Sequence, residues 1–402
     1  RGCLTLTDNF ETTFKFHFSL GGISGGIASK GDVIFISEQS ANPERGAGIL
    51  RRQDPTAFSL SALAPNYAFG VDGWDNSSGT LSHFGMAGSF SQSGGNTSNF
   101  SFDSNNGGQM FTTGGVPESF SFVTFQQPIS TGTGVASASM NLPGSSGRAT
   151  VEVYVINSSE LFFVSLTLSK DGPEFSGRAI ATSSSFSASS ISPNYIFHFT
   201  GNSAGAASTS IGLASFSTPG SPGISGTVSG TMDQYAGVTA TSQNLTGTYA
   251  LASLAGRLIV TGPNAATSPI CYLANPFDGV SAFCIGTDSS AGFGILDGQP
   301  AATYSSNSLS GNFFFGSNEP GDNAGPDSSG VATISSGNLQ GVQDISAQAG
   351  LSLANPFSAT LSINSDGSGN LGANTVAVTN GSVLYLIDET GKLPPLVQVF
   401  EQ

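Results

Sequence analysis

Charged residues are scarce in this sequence. They occupy 9% of its 402 positions, against about 25% in an ordinary soluble domain. Basic residues are the rarer kind, 11 Lys and Arg against 26 Asp and Glu, for a net charge of −15. A nucleic-acid binder needs clustered Lys and Arg to displace counterions from phosphate. No basic run exists here, so nucleic acid is excluded as a partner. Lysine occurs only at Lys15, Lys30, Lys170 and Lys392, and none closes the glycine-rich turn of a phosphate-binding loop. Long apolar runs are missing too. The longest, "ELFFVSLTL" from Glu160, is of strand length and broken by Ser and Thr. A bilayer-crossing helix needs about 20 apolar residues, so no membrane span is expected. The three His and three Cys form no His-x-x-x-His or Cys-x-x-Cys pattern that would hold a metal.

What the chain has in excess is glycine, 54 residues, and phenylalanine, 30, amid much Ser and Thr. Such a mixture favours strands and turns over helices. Little helix is expected, and "NLQGVQDISAQAG" from Asn338 is the one stretch where a helical turn fits. The chain begins at Arg1 with no signal peptide, so a processed or truncated N-terminus is expected. The Cys271 and Cys284 runs flank Asn-Pro-Phe-Asp-Gly. If they form a hairpin with Leu273 opposite Ala282, Cys271 faces Cys284 and a cross-strand disulfide is sterically possible; two buried free thiols are the alternative. Cys3 is left over. Low charge, abundant Ser and Thr and scarce Lys fit a secreted protein of the bacterial outer surface better than a cytosolic enzyme.

Repeats organise the chain. "NYAFGVDGW" from Asn66 and "NYIFHFTGN" from Asn194 each follow a Ser/Ala-rich lead-in ending in Pro, and "GNFFFGSNE" from Gly311 shows the same alternation of aromatic residues. A strand, a Gly-rich turn and a second strand ending near a polar Asp or Gln follow each, from His83, Ser210 and Ser328. Closing segments begin near Arg1, Arg148 and Arg257, equivalent in this frame, and end in "GILRRQD" at 48–54, "GRAIATS" at 177–183, "GILDGQ" at 294–299 and "VQVFEQ" at 397–402. Residues 1–54 therefore read as the C-terminal half of a β-repeat, and 55–183, 184–299 and 300–402 as three complete repeats. The expected fold is all-β: tandem small β-sandwich or β-barrel domains, joined by short linkers and arranged as a rod.

The order of these motifs, NY-x-F, "AGSF" or "ASF", "GR" and a Gln-terminated last strand, resembles a group of uncharacterised secreted or cell-surface β-repeat proteins of acidobacterial type. The resemblance implies export and an all-β repeat, and it carries no established catalytic residues.

No residue pattern commits the chain to a chemistry. His17 and His198 sit in Phe-His-Phe alternation, on the polar face of a strand, and His83 has no partner motif. Asp72 and Asp75 beside Trp74 could make the acidic pair of a sugar hydrolase, but "DGWDNSSG" is also an ordinary turn. Calcium is the best cofactor candidate, through Asn364, Asp366, Ser368 and Asn370 or the loop from Asp322 to Asp327. Neither loop has a bidentate Glu and Asp-Gly is a favoured hairpin turn, so no cofactor is expected. The reading is a non-catalytic structural protein, a building block of an extracellular fibre or surface layer, that self-associates with other copies of its chain. The half-repeat from Arg1 to Asp54 is too short to bury its own apolar faces and needs a cover: missing upstream sequence, the next domain or another chain. The alternative is an adhesin or glycan-binding array using Trp74, Tyr235 and Tyr304.

Overall fold

Alternating apolar side chains give a strand one buried and one outer face, and that period runs through most of the molecule. The computed structural model describes residues 1–402 except 8–11, 38–43, 95, 113–123, 126–128, 142–147, 167–171, 204–205, 219–223, 278–279, 301, 319–325 and 390–395. Among the described residues there are strands and three short 3₁₀ turns, and no α-helix.

Unit 1 is an antiparallel sheet of β1 (Gly2–Thr7), β2 (Thr13–Gly21), β3 (Lys30–Ser37) and β4 (Arg45–Arg51), in that order. Unit 2 contains β5 (Asn66–Asp75), β6 (Ser82–Ser93), β7 (Asn96–Asn106), β8 (Gln109–Thr112), β9 (Thr124–Phe125), β10 (Val135–Asn141), β11 (Arg148–Asn157), β12 (Glu160–Ser165) and β13 (Glu174–Ala181). Its sheet runs β6-β5-β13-β12-β11-β10-β9-β7-β8, and β6 also pairs with β7, so all but β8 lie on one closed circuit. Unit 3 is a closed barrel of β14 (Asn194–Ser203), β15 (Ala206–Phe216), β16 (Ser225–Ala236), β17 (Thr239–Ala252), β18 (Arg257–Thr261), β19 (Ile270–Phe277), β20 (Val280–Ile285) and β21 (Phe293–Gly298). Unit 4 is a second closed barrel, of β22 (Gly311–Asn318), β23 (Asp327–Ser335), β24 (Asn338–Ala347), β25 (Gly350–Ile363), β26 (Ser368–Leu371), β27 (Thr375–Thr379), β28 (Val383–Asp388) and β29 (Val397–Glu401).

The NY-x-F motif is explained by its first strand. Tyr67 and Phe69 point into unit 2, Tyr195 and Phe197 into unit 3. The Tyr67 hydroxyl accepts from the Ala64 amide at 3.0 Å and donates to the Ser158 carbonyl at 2.7 Å, and the Tyr195 hydroxyl accepts from the Ser192 amide at 2.7 Å. The Ser/Ala-rich lead-in is thus tied to the barrel it precedes. Leu273 pairs with Ala282 and Cys271 with Cys284, and the two cysteines are bonded. Cys3 is free and exposed.

Two expectations change. The stretch from Asn338 is strand β24, not a helical turn. Ser336 and Gly337, both at positive φ, form a two-residue hairpin turn between Ser335 and Asn338, the conformation that matches strand twist. Arg1 and Arg257 precede or open the fourth strand from the end of their units, whereas Arg148 opens the third from the end, so Arg148 is not their equivalent.

The units also do not lie end to end as in a rod. Each barrel places the outer face of its opening strands on the outer face of the closing strands of another unit. β5 and β6 pack on β19 and β20, β15 packs on β27, β28 and β29, and β22 and β23 pack on β2, β3 and β4. The last contact brings together opposite ends of the chain. Lys30 Nζ meets Glu401 Oε2 at 2.9 Å, Arg1 meets Asp344 at 2.5 Å, and Ser19 meets Ser329 at 3.0 Å. The partner for the outer face of the half-repeat is therefore the fourth unit of the same chain. Close approach is aided by glycine: a Cβ on Gly70 would stand 2.5 Å from the Phe293 ring, and one on Gly316 2.6 Å from Asp32 Cβ.

Candidate functional site

Where the units meet, they enclose a cavity of about 310 Å³ lined from all four. Unit 1 contributes Arg51, unit 2 Asp72, Phe162 and Arg178, unit 3 His198 and unit 4 Tyr385. Alternation puts them there. Inward residues at 67, 69 and 71 leave Asp72 outward on β5, and inward Phe197 and Phe199 leave His198 outward on β14. In an isolated barrel these positions would face water. Here they face another barrel.

Glu160, 1% exposed, organises the polar wall. Arg178 donates to its Oε1 from Nε at 3.0 Å and from Nη2 at 2.6 Å, while Arg51 Nε lies 3.9 Å away. The Arg178 guanidinium also lies 6.0 Å from the Phe162 ring centre. Burial pushes the Asp72 carboxyl up to about 7 and the His198 imidazole down to about 4. The buried Tyr385 hydroxyl is raised well above its ordinary range, first by burial and then by the charges of Asp297 and Glu401. At neutral pH the site therefore presents a neutral imidazole, a carboxyl near its midpoint, two guanidiniums and aromatic walls. Such a set can hold a small polar or backbone-like group by hydrogen bonds.

The sequence candidates are scattered. All three histidines sit at unit boundaries: His17 Nδ1 lies 3.2 Å from Asp344 Oδ2, His83 Nδ1 lies 2.9 Å from the Ala291 carbonyl, and the His198 ring meets Tyr385 edge-on at 4.8 Å. Asp72 and Asp75 fall on opposite faces of β5. Asp75 is a buried cap that accepts from the Ser77 amide at 2.8 Å and from Asn106 at 2.6 Å. No acidic pair forms beside Trp74, which packs edge-on against His83. Tyr235 and Tyr304 are 1% and 6% exposed, so neither is a surface platform for a sugar. Asp366 accepts from the Ser368 amide and hydroxyl in an ordinary turn. Most of the loop from Asp322 lies outside the described residues.

Two bridges missed in the sequence join the units in related ways. Arg257, before the closing strands of unit 3, grips Asp103 on β7 of unit 2 at 2.6 and 2.8 Å. Arg1, before the closing strands of unit 1, grips Asp344 on β24 of unit 4. Both carboxylates end the second recurring motif, and that recurrence was the available signal. The third member of the set, Asp233, faces acidic company instead. Burial raises the Glu389 carboxyl, and the charges of Asp233 and Asp388 add to it.

No known protein family and no characterised protein matches the sequence. Among solved structures, a protein of unknown function from the DUF3598 family of Nostoc punctiforme aligns over 87% of this chain and 98% of its own, at 9% identity and a TM-score of 0.18. The isotype 1 transferrin binding protein B of serogroup B Neisseria meningitidis aligns over 95% of this chain and 85% of its own, at 11% identity and a TM-score of 0.20. Likeness at this level carries no argument about function.

Proposed function

We propose that this chain is a non-catalytic structural protein of the bacterial cell surface, a building block of an extracellular fibre or surface layer. The contact between units 1 and 4 carries the reading. It repeats the contact between units 2 and 3, down to the Arg–Asp bridge, although its partners lie more than 300 residues apart. An interface that forms without covalent adjacency can form equally between chains. The buried disulfide of unit 3 favours an oxidising, extracellular setting. The second reading, a glycan-binding module, draws on the central cavity, where Phe162 and Tyr385 lie beside Arg178 and Asp72, a mixture of apolar and polar groups that suits a sugar. Negative-stain microscopy and light scattering over rising protein concentration test the first reading. Fibres or sheets are the expected result. Single particles at every concentration that bind a glycan array would replace it with the second.

A further inference from the structure

Unit 3 is a closed barrel of eight strands, a size whose interior is either filled by its own side chains or left with room for one small ligand. Pairing register fixes which residues of units 3 and 4 are equivalent. In unit 3 the inward Tyr195 stands opposite Ala214, Ala214 opposite Gly230, and Gly230 opposite Leu245. In unit 4 the same path runs through Phe313, Ala332, Gly341 and Phe357. Where the last strand meets the first, Phe197 faces Leu296 and Phe315 faces Phe400. Leu245 and Leu296 thus occupy the places of Phe357 and Phe400. Both of those rings pack on Phe315, with ring centres 5.5 and 4.3 Å away. Unit 2 stacks Phe100 on the equivalent Phe69 at 5.6 Å.

The two leucines leave a space. A cavity of about 50 Å³ inside unit 3 is lined by both of them, with Phe197, Val228, Met232 and Val260. Phe199, at the place of Ser317, also lines it and returns part of the missing ring volume. The rim reaches Thr246 and Ala266, which are exposed. A second space of about 30 Å³ shares Phe199, Met232, Ala266 and Pro269 with the first. The rest of its wall is glycine backbone and polar side chains, among them Ser208, Ser210, Gln234 and Asp288. One water needs about 10–15 Å³ and two to four polar partners. The larger space exceeds that volume, but its wall is mostly aliphatic and aromatic carbon. A space of this kind stays dry and takes apolar guests.

We propose that the barrel of unit 3 is a binding site for a small amphiphile, a single short hydrocarbon chain that ends in an uncharged or cationic polar head. The chain end lies between Leu245 and Leu296, where unit 4 places two aromatic rings, and covers Phe197. Its burial drives binding. The head lies in the polar space, within reach of Ser208, Ser210 and Gln234, and these few polar groups set the orientation. Asp288 is the one charged residue in that wall. It repels a carboxylate head and suits an ammonium or a hydroxyl. Every residue lining the two spaces belongs to unit 3. The site therefore goes beyond the structural reading and depends on no contact between units.

The test titrates the full chain, labelled at its methionine methyl groups, with n-butanol, n-hexanol and n-octanol, and with hexylammonium and hexanoate. The expected result is a saturable shift of the Met232 methyl resonance, while that of Met86, buried in unit 2, stays in place. Hexylammonium should bind at least tenfold more tightly than hexanoate. Leu245→Phe with Leu296→Phe fills the space as unit 4 does and should weaken binding at least tenfold. Because two added rings risk misfolding, Leu245→Ala is the second variant. It enlarges the space and should move the preference toward the longer n-octanol. The absence of a saturable Met232 shift with every alcohol overturns the proposal, as does undiminished binding by a folded double-Phe chain. Equal shifts at Met232 and Met86 overturn it by marking unspecific solvation, and an unchanged preference in Leu245→Ala overturns the placement of the chain. Hexanoate binding as tightly as hexylammonium overturns the choice of head.

Discussion

Asp103 is fully buried, and three donors converge on it: Arg257 through Nε and Nη2, and the Tyr272 hydroxyl at 2.7 Å. Removing one partner of a buried pair leaves the other charge uncompensated, whereas replacing both with apolar side chains is often neutral. Arg257→Ala should therefore cost about 3–5 kcal/mol, and Arg257→Met with Asp103→Leu should recover most of it, both measured by urea unfolding. Asp72 gives a pH signature. Its folded pKa of about 7 lies above the ordinary carboxyl value. Between those two pH values the folded chain holds a proton that the unfolded chain has released. Stability is thus lost as pH rises through about 7. Asp72→Asn removes that cost, so its urea midpoint should exceed that of the parent by more at pH 8.5 than at pH 5. An equal offset at both would mean Asp72 is not buried in the folded state. Neither role was legible in the sequence, where Asp72 reads as part of a turn, because its burial depends on a neighbouring barrel.

Strands and hairpins were the most readable level. Cys271 and Cys284 face each other because Leu273 and Ala282 must both point inward, and a one-residue slip would turn every side chain to the other face. The bond spans a separation of 13 residues, for which loop entropy gives about 3 kcal/mol. Replacing both cysteines with Ala should lower the stability of unit 3 by about that amount or more and leave unit 4 unchanged, as hydrogen exchange resolved by strand would report. The hairpin before β24 was harder to see. The apolar spacing of "NLQGVQDISAQ" serves a short helix or a strand equally, and only the preceding Ser336-Gly337 turn decides between them.

At the scale of the whole molecule, the shortage of charge has a second cause besides setting. Outer faces of barrels normally carry charge because they meet water. Here Ala68, Ile196, Ile211 and Val383 occupy such positions and are buried between units. Alternation tells that a residue points out of its own barrel, and it is silent on what lies beyond. The mutual packing of the units was therefore not legible.

The meeting of the first and last units also governs the order in which the molecule can form. Arg1, His17, Ser19 and Lys30 find their partners 310 to 371 residues downstream. Contacts so distant in sequence close slowly, and a chain emerging N-terminus first leaves Ile34 and Ile36 on the outer face of β3 uncovered until the fourth barrel exists, beside the half-buried Phe14, Phe16 and Phe18 of the inner face. Unit 1 should be the last part to gain protection in pulsed hydrogen exchange during refolding, after the three barrels. It should also be where partly folded chains stick to one another, so Phe16→Ser should raise the yield of refolded monomer at high concentration. A vulnerable interval set by chain length is thus the kinetic counterpart of a contact that joins the two ends of the molecule.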